Sequence, residues 1–191
     1  MRFLAIVATA LVAGGLHAET PAAPRQSPDF TLHFLDGSEK PLSSFQGSVC
    51  AVEFLYTTCP HCQHASQVFS KLYQEYGAKG FQPIGVAFND MPRMLVPDFI
   101  KNFNVAYPVA ISERMPVLEY LGISAMERFV VPQIVWIDRK GMIRSQTPSL
   151  GEEKLLQEST WREMIETLLK EPAVTSSKKP VNSPGARKPA S

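Results

Sequence analysis

An apolar run from Val49 to Tyr56 gives way at Pro60 to a helical pattern, and the tetrad Cys59-Pro60-His61-Cys62 sits on the junction. No other stretch narrows the possible folds so far. A cysteine at the start of a helix lies where unpaired backbone N–H groups and the helix dipole favour an anion. Thiolate is the reactive form of cysteine, and such a placement lowers a thiol pKa from about 8.5 into the range ~3.5–7.5. The second cysteine, one turn further in, is within reach of the first, so the pair can close to a disulfide. Two bland readings compete: half of a zinc site, or two small core residues. A four-cysteine zinc site needs a second such pair, and only Cys50 remains. A strand followed by a helix is the context of a redox dithiol.

The chain of 191 residues holds one domain plus extensions, and its formal charge of +1 argues against nucleic acid or an anionic membrane as partner. Met1 to Ala18 reads as a secretory signal peptide, with Arg2 as the basic end, Phe3 to Val12 as the apolar centre and Leu16-His17-Ala18 before the cut. The apolar run is shorter than the ~20 residues a spanning helix needs, so no membrane insertion is expected after cleavage. Export places the protein in an oxidising compartment, expected to be the periplasm or the exterior of a bacterial cell, where disulfide chemistry has meaning. Residues 19–27 read as a Pro/Ala linker, 28–170 as the folded domain, and 171–191, rich in Lys, Pro and Ser, as a tail unable to bury enough surface to offset its ordering entropy.

Along the domain, Phe30 to Leu35 alternates as a strand, Asp36-Gly37 is a turn, and Leu42 to Phe45 makes one helical turn. Val49 to Tyr56 is continuously β-prone, as in a central strand covered on both faces. Cys62, Ala65, Phe69, Leu72 and Tyr76 recur at helical spacing, which turns Cys62 inward and leaves Cys59 at the rim; Gly77 and Gly80 end that helix. Strands follow at Phe81 to Phe88, Ala106 to Ile111 (short), Gln133 to Ile137 and Met142 to Ser145. Helices are predicted over Met94 to Phe103 and Met115 to Leu121. A last helix opens on a capping box of Thr160 with Glu163, carries Trp161, Ile165, Leu168 and Leu169 on one side, and stops at Pro172. The order predicts an α/β fold: a mixed central sheet with helices on both faces and an N-terminal β extension.

Glu53 stands in the middle of the buried strand, six positions before Cys59. Desolvation there raises a carboxyl pKa and suits it to accept the proton of the resolving thiol; the competing reading is a side chain that escapes at a strand edge. Pro132 directly precedes the strand at Gln133 to Ile137, a place poorly explained as a ladder residue. His61, between the cysteines, can stabilise a Cys59 thiolate, whereas His64 reads as a surface residue and Cys50 as a small buried hydrophobe. Trp136 and Trp161 read as core.

These pieces resemble the thioredoxin superfamily, and more closely its exported TlpA/ResA-like branch. The resemblance spans residues 28 to 170 and rests on Phe54 through Cys62 with Glu53 before it, Pro28-Asp29-Phe30-Thr31-Leu32, Leu42-Ser43-Ser44-Phe45, Tyr107-Pro108-Val109, Val131-Pro132 and Ile137-Asp138-Arg139-Lys140-Gly141. It implies a thioredoxin-like fold and a thiol–disulfide oxidoreductase acting as a monomer with no bound cofactor or metal. Its partners would be protein thiols or disulfides and an upstream redox partner. Cys59 would be the nucleophile, Cys62 the resolving thiol and Cys59–Cys62 the redox disulfide. Glu53 matches the family's buried acid, with Glu for Asp, and Pro132 its cis proline beside the dithiol. Two departures stand out: Thr58 replaces the usual Trp, and Pro60-His61 is the dipeptide of DsbA-like oxidases, against a branch that otherwise favours reduction.

Two rival readings belong to other classes. Tyr56-Thr57-Thr58-Cys59-Pro60 resembles the lead-in of Sco-like copper chaperones, but those space their cysteines by three residues, and the histidines here are only His17, His33, His61 and His64. The Pro-Asp-Phe opening resembles a thiol peroxidase, and the paired cysteines argue against it.

Overall fold

A computed structural model describes residues 21–172, so the expected signal peptide and all but the first two residues of the tail lie outside the described residues. Eight strands form one sheet: β1 (Arg25–Gln26), β2 (Thr31–His33), β3 (Glu39–Pro41), β4 (Val49–Leu55), β5 (Phe81–Ala87), β6 (Val109–Ile111), β7 (Gln133–Ile137) and β8 (Met142–Gln146). Their order across the sheet is β1-β8-β7-β4-β5-β6-β2-β3. Four helices accompany it: α1 (Pro60–Tyr76), α2 (Pro92–Phe103), α3 (Arg114–Leu121) and α4 (Glu158–Lys170). The predicted mixed α/β sheet is what forms.

β4 is the central strand, and all seven of its residues are buried. It pairs in parallel with β5, from Val49 opposite Phe81 to Leu55 opposite Ala87, and antiparallel with β7, from Cys50 opposite Ile137 to Phe54 opposite Gln133. Strand periodicity then divides its side chains between two cores. Val49, Ala51 and Leu55 join Cys62, Phe69 and Leu72 of α1, Val96 and Phe99 of α2, and Trp161 and Ile165 of α4. Cys50, Val52 and Phe54 join Phe30 and Leu32 and the Val117, Leu118 and Leu121 face of α3. Pro83 is tolerated inside β5 because odd-numbered N–H groups there point toward β6, which begins to pair only at Gly85.

The inward face of α1 is the predicted one: Cys62, Ala65, Phe69, Leu72 and Tyr76 are all buried. Phe69 stacks on Trp161 at 4.4 Å between centroids, and Trp136 lies at 6.0 Å from it, so both tryptophans are core residues. α3 ends at Gly122, whose φ of +68° and close approach to Pro21 leave no room for a β-carbon.

The structure departs from expectation, or adds to it, at five places. Arg25–Gln26, within the residues read as linker, pairs with Met142 and Ile143 of β8. Glu39–Pro41 pairs with β2 although all three residues are exposed, so no apolar alternation announces it. α2 starts at Pro92, two residues before Met94, since proline fits a first turn. α4 does not open on a capping box: its N-cap is Gln157, no side chain caps it, and Thr160 lies inside the helix. A short 3₁₀ segment, Glu153–Leu156, leads straight into α4, and the Trp161 indole N–H donates to the Leu155 carbonyl at 2.7 Å; that contact and the burial of Trp161 fix the start. At the other end Glu171, read as the first tail residue, is held by Arg144 through its carboxylate and by Arg139 through its carbonyl.

Candidate active site

The end of β4, the start of α1 and the turn before β7 converge on Cys59. It is the N-cap of α1, in extended backbone conformation, with Pro60 at the first helical position. Its N–H donates to the Tyr56 carbonyl at 3.1 Å, and its own carbonyl accepts from Gln63 at 3.0 Å. Its sulfur is half-buried and lies 3.8 Å from the Val131 carbonyl oxygen. Pro132, buried and joined to Val131 by a cis peptide bond, thus stands beside the dithiol. Cys62 is fully buried on the inward face of α1, and burial, reinforced by the nearby Glu53 carboxylate, pushes its thiol well above the ordinary cysteine range. All three cysteines are free thiols. His61 and His64 are exposed on the first turn and a half of α1.

Glu53 does not escape at an edge. It is fully buried, on the same face of β4 as Ala51 and Leu55, and desolvation pushes its carboxyl up to about 7. Ser66 and Tyr107 soften that shift: both hydroxyls donate to Oε2 at 2.8 Å. The other oxygen, Oε1, has no hydrogen-bond partner among the described residues. A carboxyl half-ionised near neutrality, with one oxygen unengaged, can take and return a proton. Cys50, three residues earlier, points to the opposite face; burial pushes its thiol up to about 12, and its sulfur rests 3.8 Å from the Phe45 and Ser48 carbonyls. The sheet lies between it and the dithiol.

Five further residues belong to the site. Tyr107 and Ser66 hold Glu53, as above. Thr57, two residues before Cys59, is gripped from both sides: its N–H and hydroxyl donate to Asn89 Oδ1 at 3.0 and 3.3 Å, and its carbonyl accepts from Gln63 Nε2 at 2.9 Å. The signal for Ser66 was present in the sequence, since a hydroxyl one turn below Cys62 in an apolar stripe requires a buried partner. Asn89 gave no such signal, because the meeting of two loop ends depends on the parallel pairing of β4 with β5. Among the described residues no three His, Cys, Asp or Glu side chains are grouped to hold a metal ion.

Residues 22–159 match the redoxin family. The chain belongs to that family. It is a TlpA/ResA-like member of the thioredoxin superfamily, as the resemblance implied. Among curated relatives it is 28% identical over 121 residues to the thiol-disulfide oxidoreductase ResA of Halalkalibacterium halodurans, covering 63% of this chain and 65% of the relative. To ResA of Geobacillus thermodenitrificans it is 26% identical over 118 residues, covering 62% and 64%. The match thus spans a little under two thirds of these relatives' length. Among solved structures, a thioredoxin-family thiol:disulfide interchange protein from Chlorobium tepidum superposes with a TM-score of 0.64 at 21% identity, covering 78% of this chain and 99% of the other. The thioredoxin domain of a thiol-disulfide oxidoreductase from Bacteroides vulgatus gives 0.61 at 21%, covering 76% and 99%. At such identities the superpositions establish the fold, which is thioredoxin-like.

Proposed function

We propose that this redoxin is an exported thiol–disulfide oxidoreductase that reduces disulfides in partner proteins through Cys59 and Cys62. The observation that carries the proposal is the asymmetry of the two sulfurs: one half-exposed on a helix N-cap, the other sealed one turn below it beside Glu53.

In the reducing direction the Cys59 thiolate attacks one sulfur of a partner disulfide. The Cys59–partner bond forms, the partner's internal bond breaks, and the departing sulfur leaves as a thiolate that takes a proton from water. Cys62 then loses its proton to Glu53, attacks the Cys59 sulfur, and expels the partner's second thiolate. Two electrons have passed to the partner, and Cys59–Cys62 is left as a disulfide. An upstream dithiol protein restores it by the same exchange in reverse. Glu53 suits its part because Cys62, buried and proton-retentive, cannot attack unaided. Pro132 places the Val131 backbone where an extended partner segment passes the sulfur, and His61 supplies a dipolar or cationic neighbour to the Cys59 thiolate. The signal-like first 18 residues support export, and relatives named thiol-disulfide oxidoreductase support the exchange chemistry.

Cys59→Ser is expected to abolish reduction of a model protein disulfide such as insulin, while Cys62→Ala accumulates covalent Cys59–partner adducts visible on non-reducing gels. Unchanged reductase activity in Cys59→Ser refutes the proposal. A reduction potential measured against glutathione tests the direction: a value as oxidising as that of DsbA, near −120 mV, would reverse it.

A further inference from the structure

Next to Cys59 lies a shallow cleft of about 330 Å³ formed by Tyr56, Arg114, Glu127, Arg128, Phe129 and Val131. Two of its lining residues, Tyr56 and Val131, touch Cys59. The Tyr56 carbonyl accepts the Cys59 N–H, and the Val131 carbonyl touches the Cys59 sulfur. Its floor is aromatic: Tyr56 packs on Phe88 at 4.7 Å between centroids, and Phe88 stacks on Phe129 at 6.1 Å. Arg114 forms the wall. Its guanidinium lies 4.7 Å over the Phe129 ring and reaches the Tyr56 hydroxyl at 3.4 Å.

The two arginines of the cleft outnumber the single Glu127 carboxylate in its lining, which leaves it net positive. Arg144 and Arg162 each meet two carboxylates, whereas among the described residues neither Arg114 nor Arg128 forms an ion pair. Glu127, the one carboxylate lining the cleft, accepts a hydrogen bond from Ser149 at 2.7 Å instead. A guanidinium has five donors, and the aromatic contact with one long hydrogen bond leaves most of them free. The aromatic ring also holds the side chain in place, so that less entropy is lost when a ligand binds. Met126, 93% exposed, and Val130, 43% exposed, extend apolar surface along the same loop.

We infer that this cleft is a specificity subsite that takes an acidic side chain next to the reacting cysteine of a polypeptide partner, with Arg114 as its reader. The inference rests on the thiol–disulfide function proposed above and names the chemistry of the segment that function acts on. The carboxylate lies against the guanidinium while the neighbouring cysteine reaches Cys59, and the aromatic floor packs the methylene groups of the acidic residue. A partner bearing Lys or Arg at that place meets like charge from Arg114 and Arg128.

The test uses disulfide-linked dimers of two short peptides, alike except that the cysteine is flanked by Glu in one and by Lys in the other. Each rate of reduction by the protein is divided by the rate with dithiothreitol, which removes the intrinsic difference between the peptides. For the wild type the Glu:Lys ratio is expected to be about fivefold at low ionic strength and to shrink with added salt. In Arg114→Gln it falls toward one, and in Arg114→Glu below one. A wild-type ratio at or below one, or a ratio that Arg114→Glu leaves unmoved, overturns the subsite while leaving the oxidoreductase reading intact. Failure of the wild type to reduce even the uncharged hydroxyethyl disulfide overturns both.

Discussion

Replacing Glu53 by Gln tests the buried carboxyl at its most quantitative. In the folded protein Glu53 ionises near 7, against 4.5 for the free side chain, because burial disfavours its charge. The group therefore binds its proton more tightly in the folded state than in the unfolded one. Its protonated form costs nothing extra below about pH 4.5, and stability is lost as the pH rises from there through 7. At about 1.4 kcal/mol per tenfold difference in proton affinity, the full loss is roughly 3 kcal/mol, of which roughly 2–3 kcal/mol falls between pH 5 and pH 8. The substituted glutamine cannot ionise. Its carbonyl can still accept from Ser66 and Tyr107, while its amide is placed where Oε1 now lacks a partner, at a pH-independent cost of about 1–3 kcal/mol. The variant is expected to be the less stable protein at pH 5 and to close or reverse that gap by pH 8. Urea denaturation of the reduced wild type and of Glu53→Gln at pH 5, 6.5 and 8 reads the difference directly. A gap that stays constant across this range would mean that Glu53 does not titrate there, and the proton-acceptor role would fall with it.

Other perturbations give simpler readings. Asn89→Ala and Gln63→Ala each remove one grip on Thr57 and should cost about 1 kcal/mol in stability, with slower disulfide exchange; exchange rates equal to wild type would show that the Thr57 clamp does not position Cys59. Tyr107→Phe deletes a donor to Glu53 and should raise the pH at which exchange accelerates, since that donor lowers the carboxyl pKa; an unshifted pH–rate profile would refute the link. Native protein treated with a thiol reagent at neutral pH should be modified at Cys59 and spared at Cys50, because Cys50 is buried and its thiol is pushed up to about 12; peptide mapping that finds Cys50 labelled first would contradict the structure. Trp161→Ala should cost about 3–5 kcal/mol by emptying the space stacked on Phe69, measurable as a lowered midpoint of urea unfolding.

The parts of this fold that periodicity governs were legible in the residues. β4, the inward stripe of α1, and the hairpin of β7 and β8 all announce themselves through apolar spacing and a Gly turn, and they place Cys59, Cys62 and Glu53 without further help. What stayed hidden depends on pairing between distant segments. β1 and β3 are short and exposed, and only their neighbours β8 and β2 make them strands. The start of α4 followed a tryptophan contact rather than a capping rule. In the site, Tyr107 was visible only as part of a motif, and Asn89 only as the end of a strand. Their partners, Glu53 and Thr57, lie 54 and 32 residues away, and only the tertiary fold brings them into contact.

The two faces of β4 have one more consequence. Residues 50, 52 and 54 belong to the core under α3, and residues 49, 51, 53 and 55 to the side that holds the dithiol, with a hydrogen-bonded backbone between them. Apart from Val131, which packs against both cores, the sheet separates the two sides, and free-energy changes made away from that residue should add rather than couple. The chamber beneath α3 can thus be refilled with other apolar side chains over a lineage while the sulfur chemistry across the partition keeps its tuning.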